Sequence, residues 1–297
     1  MDDRRKKQAF RLALPSCDEI GGATGWPRAD ARSQDFDADI AQGFAHRITL
    51  ILRDYLETQR GTFPYAHIER IVTSLVVSRT RQGDVEDMPE ELDAVLIEWL
   101  EGQRALVEGP LSKGLSTAAA AGFIVAFNGW MERFGLDLTP TPDMTAGLNS
   151  WGKRQATTIL SLIDDTTRKG ISEVIGKALK ESDSVDQIMR AVRAYLDTHM
   201  APGRAELIAD VETYNALHQG ALDANKVLGA KEKRWVTEED RRVCIICFEN
   251  SAQGSIQIGR TFLSGDFCPP AHPHCRCSLA FSGITRESVL AALGDVR

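Results

Sequence analysis

Cys244-Ile-Ile-Cys247 and, after twenty further residues, Cys268-Pro-Pro-Ala-His272-Pro-His274-Cys275-Arg276-Cys277 are the two stretches that decide how this chain reads. A C-x-x-C turn presents two sulfurs to one ion, and H-x-x-C-x-C can supply the other half of a tetrahedral set, the geometry zinc takes with four sulfur or nitrogen ligands. Five of the six cysteines fall in this 34-residue span, and only Cys17 lies elsewhere. In a reducing compartment such clustering points to metal rather than disulfides. Cys244 and Cys247 are the first pair. His272, Cys275 and Cys277 compete for the other two positions, with Cys268 and His274 as weaker candidates. The residues expected at the metal are therefore Cys244, Cys247, His272, Cys275 and Cys277, and the ion expected is structural zinc. It would staple a module too small to be held by apolar burial alone.

A catalytic zinc reads less well. Nucleic-acid deaminases need H-x-E beside P-C-x-x-C, yet Val243 precedes Cys244, and the H-x-E at His67-Ile68-Glu69 lies far upstream on a stretch read as a helix face. H-E-x-x-H is missing. No catalytic residue is assigned, and the chain is expected not to be an enzyme. Glu212 and His218, on one predicted helix, are too far apart in sequence to share a face and read as surface or capping groups. His46, His67 and His199 read as structural or solvated.

Working outward from the module, the texture around it is short and β-like: Trp235–Val236, Val243 with Ile245 and Ile246, Ile256 with Ile258 and Phe262, then Ser278–Phe281. Upstream, apolar residues recur at spacings of three and four, the period of helices with one buried face. Phe36, Ile40, Phe44, Ile48, Ile51, Leu52 and Tyr55 form the first stripe, and Ile68, Ile71, Val72, Leu75 and Val76 the second. Pro89 opens a third helix, with Leu92, Val95, Leu96, Trp99 and Leu100 inward. Ser116–Phe134 reads as a fourth. Trp151–Arg168 and Ile171–Leu179 follow. Ser184 with Gln187 is a capping-box pattern ahead of Ile188, Val192 and Leu196. Arg204–Leu228 is the last long helix, ended by Gly229. The fold class expected is mainly α: a body of about eight helices with a small C-terminal β/loop module, zinc-stapled.

The domain reading is an irregular leader at 1–33, an N-terminal helical region at 34–140, a second unit at 141–281 and a tail at 282–297. The second unit divides into helices at 150–229 and the Cys/His module at 230–281. The boundary rests on Gly135–Asp143, where two prolines interrupt the periodicity.

With 35 Lys and Arg against 42 Asp and Glu, the net charge is −7, which disfavours general coating of nucleic acid. The module itself is balanced: seven basic and six acidic residues lie between Lys231 and Phe281. That suits a few phosphate contacts rather than many. No run of about 18 apolar residues suggests a membrane span. The basic start, Arg4-Arg5-Lys6-Lys7, lacks the apolar core of a signal peptide, so a cytoplasmic protein is expected.

The run Trp235-Val-Thr-x-x-Asp240-x-x-Val-Cys244-x-x-Cys247, followed by Pro269-Pro270-Ala-His272-Pro-x-Cys275-Arg276-Cys277, resembles the Mu F-like minor head protein family of tailed phages, the phage head morphogenesis domain. Arg204-Ala205-x-x-Ile208-Ala209-Asp210-Val211-Glu212 is similar to that family's R-A-x-x-I-A-R-T-E helix, with Asp210-Val211 in place of Arg-Thr, and Ala216-x-x-x-Gly220 to its A-x-x-x-G. The resemblance covers about residues 150–281. It implies a minor virion protein that sits in the capsid interior near the portal after assembly in the host cytoplasm. Its expected partners are portal, major capsid or scaffold proteins and packaged phage DNA, with no membrane. It also puts Asp240 on the family's aspartate, with a hydrogen bond toward the cysteine turn as its expected role. The competing expectation is a zinc-dependent phage-encoded enzyme or effector acting on nucleic acid.

Overall fold

The computed structural model describes residues 38–82, 89–181, 183–238, 240 and 242–294. The expected leader, with its basic cluster and Cys17, lies outside the described residues, as does Phe36 of the first expected helical stripe. Those described are mainly helical, with one small sheet. The elements are α1 (Ala38–Thr62), α2 (Tyr65–Gln82), α3 (Glu90–Phe134), α4 (Pro142–Lys180), α5 (Val185–His199), α6 (Pro202–Val227), β1 (Glu232–Val236), α7 (Ile245–Ala252), β2 (Ser255–Gln257), β3 (Ser278–Ser282) and α8 (Arg286–Gly294).

Two pairs of expected helices are single helices. α3 runs 45 residues straight through Gly109 and Pro110. α4 runs 39 residues through Gly170. Glycine and proline usually punctuate helices, but packing overrides them here. At Gly170 a Cβ would overlap the Tyr195 phenol, lying 2.7 Å from its Cε2. This glycine marks a close approach of α5, not a break. By length and composition α3 could also cross a membrane, but half of its most apolar window is buried inside the protein. Leu111, Leu115, Phe123 and Phe127 are core residues.

The described residues form two compact units. One contains Leu50–Pro110 and Ala156–Glu206. Its centre is a buried carboxylate. Tyr55 Oη donates to Asp164 Oδ1 at 2.7 Å, Gln59 Nε2 donates to the same oxygen at 2.9 Å, and Arg104 Nη2 donates to Oδ2 at 2.8 Å. Burial raises the Asp164 pKa in spite of these donors. The Ser184–Gln187 capping box opens α5 as expected, and Ile188, Val192 and Leu196 are buried along it.

The other unit contains the described residues up to Thr49, Leu111–Gln155 and Leu207 onward. The Gly135–Asp143 segment, expected to separate domains, joins α3 to α4 inside this unit. Two glycines bring α3 and α6 together. A Cβ on Gly122 would lie 2.7 Å from the Leu217 carbonyl carbon, and one on Gly220 would lie 2.7 Å from both the Ala119 carbonyl carbon and the Phe123 nitrogen. The Ala216-x-x-x-Gly220 spacing thus serves a backbone-to-backbone helix crossing. In α1 the expected residues Ile48, Leu52 and Tyr55 are buried, and only the first turns differ. Ala41 and Ala45 are buried, whereas Ile40 is exposed, because the small residues face the Cys/His loop.

After Gly229, whose φ of 93° ends the α6 turn, the chain enters an antiparallel sheet of order β2-β1-β3. Trp235 pairs with Leu279 and Lys233 with Ile256 and Phe281. The fragment at Val243–Ile246, expected to be β-like, is instead the entry to helix α7. The expected tail carries α8, where Ser288 Oγ donates to the Leu228 carbonyl just past the end of α6 at 2.8 Å.

Candidate metal centre

Cys244 is the N-cap of α7. Its sulfur accepts the Cys247 backbone N–H at 3.4 Å, which satisfies a free donor of the first helical turn and turns both sulfurs the same way. The second half-site lies before β3, with Cys277 directly ahead of the strand. The loop between β2 and β3 carries a cis Pro269–Pro270 bond and returns His272 to the first pair. His272 Nε2 lies 3.0 Å from Cys244 Sγ and 3.2 Å from Cys247 Sγ. Its Nδ1 lies 2.7 Å from the Pro273 carbonyl. An Nδ1–H donated there leaves the Nε2 lone pair for a metal, the tautomer that a ligand histidine needs. Cys275 Sγ stands 3.6 Å from Cys247 Sγ.

Two groups of donors arise, each with its atoms within 4.8 Å of one another: Cys244, Cys247 and His272, and Cys247, Cys275 and Cys277. All five expected ligands are therefore gathered, and Cys247 belongs to both groups. Neither Cys268, buried, nor His274, exposed with φ 57°, is in either. A soft sulfur-rich set with one imidazole fits a closed-shell, tetrahedral ion such as zinc. Hydrogen bonding to Cys247 and Cys277 holds the Cys275 thiol well below its ordinary range.

Around the donors sits a supporting shell. Asp240 takes a bidentate ion pair from Arg276, with both contacts at 2.8 Å, and accepts the Arg242 backbone N–H at 3.0 Å. It thus ties the approach to the first cysteine pair to the Cys275-Arg-Cys277 turn, close to the expected role. The Arg276 hydrogen bond holds its carboxyl well below the usual range. Trp235 is fully buried, edge-on to Phe262 at 5.1 Å, in a core shared with Leu222, Val243 and Leu279. Lys233 is a buried cation that the sequence reading passed over. Its Nζ donates to the Phe267 carbonyl at 2.7 Å and lies over the rings of Phe262 and Phe267. Burial pushes its pKa down to about 8. The only sequence signal was its place on the inward alternation of β1, two residues before Trp235.

Glu212 and His218 are not surface groups. Both are buried on α6. Glu212 accepts from Gln155 Nε2 at 2.7 Å and Asn215 Nδ2 at 3.1 Å. Burial pushes the His218 imidazole down to about 4, so it is neutral at pH 7. The six-residue gap does separate them, but α6 is enclosed on several sides. His46, by contrast, is exposed, while His67 and His199 are half-buried.

Beside the donors is a cavity of about 220 Å³. Asp210, Val211 and Tyr214 of α6 form one wall and Ala41 and Ala45 of α1 another, and His272 and Cys275 reach it from the loop. Asp210 and Val211 are the two positions at which the α6 motif departs from the expected Arg-Thr. The W-x-T-x-x-D element, the paired sulfurs and the returning histidine are thus one structural unit.

Residues 169–280 match the Phage Mu protein F like protein family. The Mu F-like segment runs from the last turns of α4 through α5, α6 and the Cys/His module into β3. It contains all five donors, Asp240 and both members of the Ala216–Gly220 pair. No curated protein and no solved structure matches the chain.

Proposed function

We propose that this chain is a structural minor head protein of a tailed phage or prophage, acting in head morphogenesis at the portal and accompanying packaged DNA. One observation carries the reading: the segment that matches the Mu F-like family is the segment whose sulfurs and imidazole converge. The protein would reside in the capsid interior, with portal, major capsid or scaffold proteins as partners, after assembly in the host cytoplasm. Zinc, held by Cys244, Cys247 and two of His272, Cys275 and Cys277, would staple the module. In this reading the protein is not an enzyme, and the metal supplies folding energy rather than a reaction.

A second reading is favoured by the cavity against His272 and Cys275, since a catalytic zinc keeps an open coordination position. It is a zinc-dependent, phage-encoded enzyme acting on nucleic acid. Complementation separates the two. Replacing Cys244 and Cys247 with Ser should unfold the module and lower head yield in electron micrographs, while Asp210→Asn at the cavity wall leaves heads normal. Normal infectious heads from the cysteine variant, with loss of a defined reaction on nucleic acid in the Asp210 variant, would replace the structural reading by the enzymatic one.

A further inference from the structure

We infer that Cys275 is the reactive sulfur of the centre, the point at which a small oxidant or soft electrophile attacks and from which the metal is released. The inference rests on the metal reading above and adds to it a modification site.

Three features single out this residue. Cys244, Cys247, Cys277 and His272 are buried, whereas Cys275 is half-buried. The cavity of about 220 Å³ is lined by Cys275 but by no other cysteine, and it is ample for a peroxide or a maleimide. A resolving sulfur is in place, because Cys247 Sγ lies 3.6 Å away. Access and a neighbouring thiol are what distinguish a redox-active cysteine from an inert buried one. Cys268 lacks the access: it is buried, and it lies outside both donor groups.

The chemistry balances with a peroxide as the oxidant. The Cys275 thiolate attacks one oxygen of hydrogen peroxide. The S–O bond forms, the O–O bond breaks, and hydroxide leaves and is protonated to water. Sulfur is oxidised to the sulfenic acid and the peroxide is reduced. The Cys247 thiolate then attacks the sulfenic sulfur. The S–S bond forms and the hydroxyl leaves as a second water after taking a proton. Because Cys247 belongs to both donor groups, its capture takes a donor from each, and the ion is lost.

The experiment uses the full chain with its zinc measured first by elemental analysis. Less than about half an equivalent would defeat the metal reading alone, and the ranking of the thiols would still be read. Limiting N-ethylmaleimide is added, and labelled sites are assigned by tryptic mass spectrometry. Cleavage after Arg276 separates Cys275 from Cys277. Hydrogen peroxide is then titrated while a zinc-binding dye follows release. Cys275 should be labelled roughly tenfold ahead of Cys244 and Cys247. Peroxide should yield a Cys247–Cys275 disulfide in step with zinc release, and Cys275→Ser should slow that release by about the same factor. If Cys275→Ser does not hold zinc, the labelling order and the disulfide map of the unaltered chain decide. Uniform labelling, first labelling at a buried sulfur, a Cys275–Cys277 disulfide, or equal release from the Ser variant would each overturn the inference.

Discussion

Replacing Gly220 with Ala should weaken the protein, although alanine is the better helix former. The ideal Cβ at Gly220 would overlap the Ala119 carbonyl oxygen and lie 2.7 Å from Ala119 C and Phe123 N. These atoms are backbone, so no rotamer change relieves the clash and the two helices must separate. Around the crossing Ala118, Ala119, Phe123, Ala216 and Leu217 are fully enclosed. Separation would therefore open gaps in a packed layer. Overpacking costs about 1–3 kcal/mol, and a backbone clash belongs at the upper end. Helix propensity returns about 1 kcal/mol. The expected net loss is about 2 kcal/mol. Gly129→Ala is the control: it lies on α3 with nothing within 4 Å of its Cβ, so only the propensity gain remains. Urea unfolding followed by circular dichroism measures both. The double variant Gly122→Ala, Gly220→Ala should cost less than the sum of its parts, since the first separation relieves the second clash. If Gly220→Ala were as stable as Gly129→Ala, the backbone-to-backbone crossing would be wrong.

Other consequences can be measured on the same protein. Protein purified without added metal should carry about one zinc per chain, and a strong chelator should melt residues Trp235–Phe281 by hydrogen exchange while α3 and α6 keep their protection; full protection of the module without metal would contradict this. Asp164→Ala should cost about 3 kcal/mol in urea, because Arg104, Tyr55 and Gln59 all lose their acceptor; a change below about 1 kcal/mol would show that the network contributes little. His199 and His218 are both held down to about 4, chiefly by burial, against an ordinary value of 6.5. Between those values the unfolded chain binds protons that the folded chain does not, so stability is full above about pH 6.5 and falls as pH drops toward 4. His199→Gln should flatten part of that slope in denaturant midpoints taken at pH 4.5 and 7.5, and an unchanged slope would remove His199 from the effect. Arg276→Lys breaks a half-exposed bidentate pair with Asp240, so it should cost under about 1 kcal/mol and leave zinc content unchanged; loss of zinc would give the pair a larger part in holding the loop.

The site was more open to reading from residues than the fold was. Spacing alone named the five donors, since ligand geometry imposes short, fixed intervals that survive in one dimension. Helix positions followed from apolar periodicity, and the capping box at Ser184 from a local hydrogen-bond pattern. Helix lengths did not follow. Gly109, Pro110 and Gly170 look like stops, and only the partner that fills the space beside Gly170 explains why that glycine is not one. Val243, Ile245 and Ile246 favour strands in isolation, but the Cys244 cap opens a helix there. The burial of Glu212, His218 and Lys233 depends on neighbours far away in sequence, such as Gln155 for Glu212 and Phe262 and Phe267 for Lys233. The cavity wall likewise joins α1 to α6, which no local pattern encodes.

The central claim is that this protein is a component of the phage head. Quantitative mass spectrometry of purified procapsids and mature virions tests it most directly. The account predicts the chain in both particles at a low, fixed ratio to the portal protein, with the ratio lost when Cys244 and Cys247 are replaced by Ser. Recovery of the chain only in the soluble fraction of the lysate, with particles of normal yield and infectivity lacking it, would contradict the account.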